Sequence, residues 1–214
     1  MSKKCVFCGI NDATTTDHIP PKSVFRKEQR KNSLTVPACN DCNCASNIDD
    51  ETFKVVIGLI PNSASSTTNQ SLMVGVSKTL GKNNQLTRNL FKNSTAELVL
   101  NKFGFSESSP VLHYDTEAIE RVAIKIGKAL YFKEKGKTPY EDKIEVEILW
   151  NTYAIGMEPA PLDVATIKNN TPLKDHNDGH FKYWFTPNVH QDFDLVPVAI
   201  FDQVVFIVKY IKLI

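Results

Sequence analysis

The last 170 of the 214 residues contain no cysteine, which excludes a disulfide scaffold spanning the chain. No run of about 18 apolar residues occurs either, and that excludes an apolar helix crossing a bilayer. The opening MSKKCVFCG is basic but lacks the apolar core of a secretory signal, so the expectation is a cytoplasmic protein with no membrane partner. Acidic residues are missing between Glu51 and Glu97, while Lys54, Lys78, Lys82, Arg88 and Lys92 all occur there. Solvated surfaces usually mix both signs, so an acid-free run points to a polyanionic partner. The net charge of +1 hides this division. Residues 1–96 carry twelve Lys and Arg against seven Asp and Glu, and the remainder thirteen against seventeen.

What is present begins with the apolar fraction of 42%, enough for a real core in one domain or in a small module fused to a larger one. All five cysteines stand at 5, 8, 39, 42 and 44. Cys5, Cys8, Cys39 and Cys42 form two C-x-x-C pairs, the ligand number and knuckle spacing of a structural zinc site. A segment this short cannot fold on its apolar residues alone, and a bound zinc supplies on the order of 10 kcal/mol in comparable sites. Cys44 is left as a spare thiol, and its place beside Cys42 leaves the fourth ligand open between the two.

Around the knuckles the pattern is strand, loop, strand, helix. ATTTDHI is β-branched and leads to Asp17-His18, and Pro20-Pro21 turns the chain outward. KSVFRKEQRK then reads as an exposed arm with basic residues Lys22, Arg26, Lys27, Arg30 and Lys31. LTVPAC forms a second strand, and a helix opens near Asn40-Asp41, which are good cap residues. Helical spacing continues through Phe53, Val56, Ile57 and Ile60 to Pro61. PNSASSTTNQS reads as a linker. Ser94-Thr95-Ala96-Glu97 matches a capping box for a helix ending at Gly104. The strongest helix covers 116–134, capped by Asp115 and closed at Gly136, with Ile119, Val122, Ile126 and Leu130 on one face. After it KIEVEILW, HFKYWF and VPVAIFDQVVFIVKYIKLI take up strand periodicity, with Asp202-Gln203 at a hairpin turn. KDHNDGH, despite His176, His180, Asp175 and Asp178, reads as a turn. Tyr131, Phe132 and Tyr183-Trp184-Phe185 read as core. The expected fold is α+β, divided into a zinc-stapled module (1–60), a polar and basic linker with helix (61–93) and an accessory α+β part (94–214) ending in an antiparallel sheet.

The pattern C-x-x-C, DHIPPKS, then N-x-L-T-V-P-A-C-x-x-C-N resembles the HNH endonucleases over residues 5 to about 53, and implies their ββα-metal fold. The resemblance makes His18 the general base that activates water. Asp17 becomes a ligand of a catalytic Mg²⁺ or Mn²⁺, aided by Asn43 and by Asn47, four residues along the helix. Asn32 corresponds to the middle Asn that orients His18. Since Asn47 stands where many members have the final His, the motif is H-N-N. Taken singly, Asn43 could instead be an ordinary helix-start residue and Asn32 an ordinary turn residue. A neutral imidazole and a hard cation held by a carboxylate and an amide suit phosphodiester hydrolysis. The expected activity is DNA cleavage, in restriction or phage defence, with the basic arm along the phosphate backbone. The alternative is a zinc-stabilised nucleic-acid-binding module that does not cut. Residues 94–214 are expected to mediate any self-association.

Overall fold

The computed structural model describes residues 3–59, 66–92, 94–100, 104–111, 113–138, 143–149, 167, 169–201 and 203–211. The N-terminal part is a two-stranded antiparallel sheet, β1 (Thr15–Ile19) and β2 (Leu34–Ala38), in the register Asp17 opposite Val36 and His18 opposite Thr35. Two 3₁₀ turns, Lys22–Val24 and Lys27–Arg30, link the strands. The basic segment is therefore folded against the module and is not a free arm. Val24, Phe25 and Gln29 are buried, and Arg30 donates twice to the Phe25 carbonyl, at 3.0 and 2.9 Å. The charged side chains themselves stay exposed.

Helix α1 (Asn40–Ala45) follows at once, capped by Cys39, whose sulfur accepts from the Cys42 N–H at 3.5 Å. The cap is thus the knuckle cysteine, one residue before the expected Asn40-Asp41. Ser46 separates α1 from α2 (Asn47–Leu59), so Asn43 and Asn47 lie on successive helices, where one continuous face was expected. Phe53, Val56 and Ile57 are buried on α2. Ile60 and Pro61 lie outside the described residues. The polar tract read as a linker is helical from Ser66, where α3 (Ser66–Lys82) begins, and α4 (Asn84–Phe91) follows with Asn83 as its cap.

The helix expected after Ser94 does not form. Thr95–Leu100 is β3, paired antiparallel with β4 (Ser106–Val111), and Gly104 lies in the connection with φ of 80°. A capping box satisfies only the first turn's donors, whereas six opposed residue pairs of the hairpin satisfy the whole segment.

Helix α5 (Thr116–Lys135) keeps the sequence-derived bounds within a residue. Asp115 accepts from the Ala118 N–H at 3.0 Å, and Gly136 closes it at φ of 71°. Its buried stripe packs on an antiparallel sheet built of β5 (Ile144–Ile148), β6 (Lys174–His176), β7 (Phe181–Tyr183), β8 (Thr186–His190), β9 (Phe193–Ile200) and β10 (Gln203–Ile211). The strand order is β5-β10-β9-β7-β6, with β8 also on β9. Asp202, half of the expected turn pair, lies outside the described residues. Asn177, Asp178 and Gly179 all have positive φ, so KDHNDGH is the β6–β7 turn.

One apolar cluster runs through both parts, joining Ile19, Phe25, Val36 and Phe53 to Ile126, Phe201 and Val208. The Phe25 and Phe201 rings meet at 5.5 Å between centroids. The β6–β7 turn grips the loop before β2, where the Asp178 N–H donates to the Lys31 carbonyl at 3.2 Å and Asn177 Nδ2 to Ser33 Oγ at 3.1 Å. Helix α5 meets β1 through Lys125 and Asp17, where the candidate site lies.

Candidate functional site

Cys5 and Cys8 precede β1, and Cys39 and Cys42 sit at the junction of β2 and α1, so the hairpin brings the knuckles together. The four Sγ atoms lie within 4.8 Å of one another. A tetrahedral zinc with bonds of about 2.3 Å needs its sulfurs roughly 3.8 Å apart, so the group fits a metal such as zinc after a small contraction. Hydrogen bonds from the N–H groups of Asn11 and Ile10 pull the Cys8 thiol down to about 6, and the Cys42 N–H lowers Cys39. Cys42 moves the other way: burial raises it, and the neighbouring thiols add to the rise. A cation bound among the four sulfurs would favour the thiolate form of all of them. Cys44 is exposed, points to Asn40 and is outside the group.

Beside this centre opens a cavity of about 540 Å³ lined by Asp17, His18, Lys22, Asn43, Asn47 and Asp50, among others. Asp17 is buried, and its Oδ1 accepts from the His18 N–H at 2.8 Å. That bond holds the carboxylate and leaves Oδ2 without a directed donor. Burial and then the charge of Lys22 hold His18 below its ordinary 6.5, against the opposing pull of Asp17. The imidazole is therefore neutral near pH 7 and able to accept a proton. Asn43 donates from Nδ2 to Thr15 Oγ1 at 3.1 Å, which orients the amide and leaves Oδ1 as its acceptor atom. Asn47 lines the same cavity from the first turn of α2.

Asn32 is not brought to this cavity. It occupies the left-handed turn into β2 with φ of 53°, and its carbonyl lies 3.0 Å from His176 Nδ1. Lys22 is at the cavity rim, while Arg26, Lys27 and Lys31 are exposed along the same β1–β2 connection and do not line it. Of the five bases in the acid-free run, Lys54 is turned inward, donating to Thr79 Oγ1 at 2.7 Å.

Three site residues were missed from sequence: Ser46, Asp50 and Lys125. Lys125 reaches across from α5, its Nζ 2.7 Å from Asp17 Oδ2 and 3.8 Å from Asp50 Oδ2. The first contact is an ion pair set at an angle, because Asp17 Oδ2 receives no directed hydrogen bond although it is buried; Asp50 Oδ1 is in the same condition. Burial raises Asp50 to about 6 against the stabilising charge of Lys125. Signals existed for two of the three. Asp50 follows Asn43 and Asn47 at seven and three residues, one helical face in spacing. Lys125 interrupts the buried stripe Ala118, Val122, Ala129, where an unpaired charge would be costly.

The Asp17 carboxylate beside two carboxamides is an all-oxygen donor set of the kind Mg²⁺ or Mn²⁺ takes, with Lys125 already against one of its oxygens. A second cavity of about 310 Å³ opens across α2 near Leu86 and Tyr114. Its carboxylates are committed, Asp49 to Arg121 at 2.8 Å and Asp115 to capping α5.

No protein-family model matches this chain, and no curated protein or solved structure matches it either. The functional reading therefore rests on the geometry.

Proposed function

We propose that this protein is a metal-dependent endonuclease of the HNH type, with a ββα-metal site, that hydrolyses phosphodiester bonds in DNA. The observation that carries the proposal is the meeting of Asp17, His18, Asn43 and Asn47 around one open cavity beside the four-cysteine group. In this reading the cysteines hold a structural zinc and have no part in the chemistry. Asp17 and Asn43, with Asn47 alongside, hold a Mg²⁺ or Mn²⁺ ion, which supplies charge to the scissile phosphate and the leaving oxygen. His18 takes the proton of the attacking water through its neutral imidazole. Lys22 at the rim and the exposed Arg26, Lys27 and Lys31 engage the phosphate backbone. The setting is restriction or phage defence in the cytoplasm. Asn32 keeps the role of shaping the β1–β2 connection, and His18 is oriented by strand pairing with Thr35 and by the Asp17 contact.

One observation favours a second reading, a zinc-stabilised nucleic-acid-binding module without cleavage. Asp17 already has a cationic partner in Lys125, so its charge is balanced with no divalent ion. The two readings separate in one assay. Zinc-loaded wild type and His18→Ala are incubated with plasmid, linear and single-stranded DNA and with RNA, each with Mg²⁺ or Mn²⁺. Cleavage of DNA by wild type, reduced about 100-fold or more in His18→Ala with binding retained, supports the nuclease. Binding without cleavage under every condition supports the second reading.

A further inference from the structure

We propose that Lys125 is a resident counter-cation of the Asp17 site, competing with the divalent ion for Asp17 Oδ2 and passing to Asp50 when that ion binds. The inference rests on the cation site proposed above and concerns what controls its occupancy. Asp17 Oδ1 already accepts the His18 N–H at 2.8 Å, which leaves Oδ2 as the oxygen without a directed donor. The ammonium of Lys125 stands 2.7 Å from Oδ2. A Mg²⁺ ion coordinates oxygen at about 2.0 to 2.1 Å, so both cations would lie within a few ångström of each other across one atom. Like charges that close in a partly buried site repel strongly, and one must withdraw.

The surroundings of Lys125 provide a place to withdraw to. Its side chain is only 11% exposed, so escape into solvent would mean leaving its packed position on α5. Asp50 Oδ2 is already 3.8 Å from Nζ, and Asp50 Oδ1 is buried with no donor. Ser46 Oγ touches both groups, accepting from Lys125 Nζ at 2.5 Å and donating to Asp50 Oδ2 at 3.2 Å. A swing of about an ångström thus exchanges an angled ion pair with Asp17 for a directed one with Asp50, while the Ser46 contact holds. The Phe7 ring, 5.4 Å from Nζ, faces the ammonium from the zinc knuckle side and stays with it in either position. Asp50 is then the acceptor that makes Asp17 available, and it does not itself ligate the metal.

The test is titration of the zinc-loaded full chain with Mn²⁺, following the free-ion electron paramagnetic resonance signal, which needs no turnover. Lys125→Met is expected to tighten Mn²⁺ binding about tenfold or more, since a repelling charge is removed. Asp50→Asn is expected to weaken binding, because the ammonium then stays on Asp17. The double variant is expected to bind as tightly as Lys125→Met alone, the coupling that a double-mutant cycle isolates. If Lys125→Met does not fold, Lys125→Gln replaces it and keeps a polar tip for Ser46. Unchanged or weaker binding after loss of the lysine overturns the proposal, as does a double variant as weak as Asp50→Asn, which would make Asp50 a ligand. Binding that needs Asp17 but ignores Lys125 leaves the cation site standing and removes only the exchange. Absence of Mn²⁺ binding in every form removes the cation site and the exchange together.

Discussion

His18 shows how one side chain's chemistry is set by its neighbours. Burial and Lys22 both disfavour the imidazolium, and only Asp17 favours it, so the proton leaves below pH 6.5. A general base must be unprotonated to act, so the proposed nuclease activity is expected to fall on acidification and to be full at neutral pH. The cleavage rate should climb tenfold per pH unit in the acid limb, with the midpoint of that limb below the ordinary imidazole value. Replacing Lys22 with Ala should move that limb to higher pH, measurable in single-turnover rates between pH 5 and 8. A limb centred above pH 7 would assign the titration to another group. Asp17, His18 and Asn43 were legible because they are close in sequence to the knuckles that fix their positions. Lys125 was not, because its meaning depends on a contact with Asp17 from 108 positions earlier in the chain. Asn32 was misplaced for a related reason: its turn geometry answers to His176 and not to His18.

Elements with agreeing local signals appeared as expected, and conflicting signals were decided by packing. In α5 the cap at Asp115, the stop at Gly136 and the apolar stripe coincide, and the helix follows them. At Ser94–Glu97 a capping pattern competed with strand pairing, and the hairpin prevailed. The polar start of α3 carries little helical periodicity, so its helix was invisible before the fold was known. Close contact between helices explains a residue that propensity alone would disfavour. Gly58 lies within α2, and a Cβ there would collide with Val76 Cγ2 of α3. Gly58→Ala gains about 1 kcal/mol of helix propensity. Overpacking at a buried contact costs about 1–3 kcal/mol, so the expected net effect is destabilising. Urea denaturation should show a lower midpoint with an unchanged slope; a raised midpoint would mean that α3 yields freely.

At the scale of the whole molecule, the knuckles and the sheet share one apolar cluster, through Val6, Phe25, Phe201 and Val208. Local periodicity carries no information about such long-range pairings, so the sequence suggested separable parts without showing how they interlock. The interlocking makes a prediction about zinc. Removing the metal, by chelation or by Cys39→Ser, should lower the thermal midpoint of the whole chain by about 10 °C or more in one transition, because losing the staple also strips the cluster of one wall. A transition confined to the N-terminal part, with the sheet melting unchanged, would show the two parts to be independent. For the cleavage chemistry itself the most direct measurement is chemical rescue of His18→Gly. Zinc-loaded wild type and variant are compared on plasmid DNA with Mn²⁺, with and without added imidazole. The account predicts a loss of about 100-fold or more in the variant, partly restored by imidazole in proportion to its neutral form. Wild-type rates in His18→Gly without imidazole would contradict it.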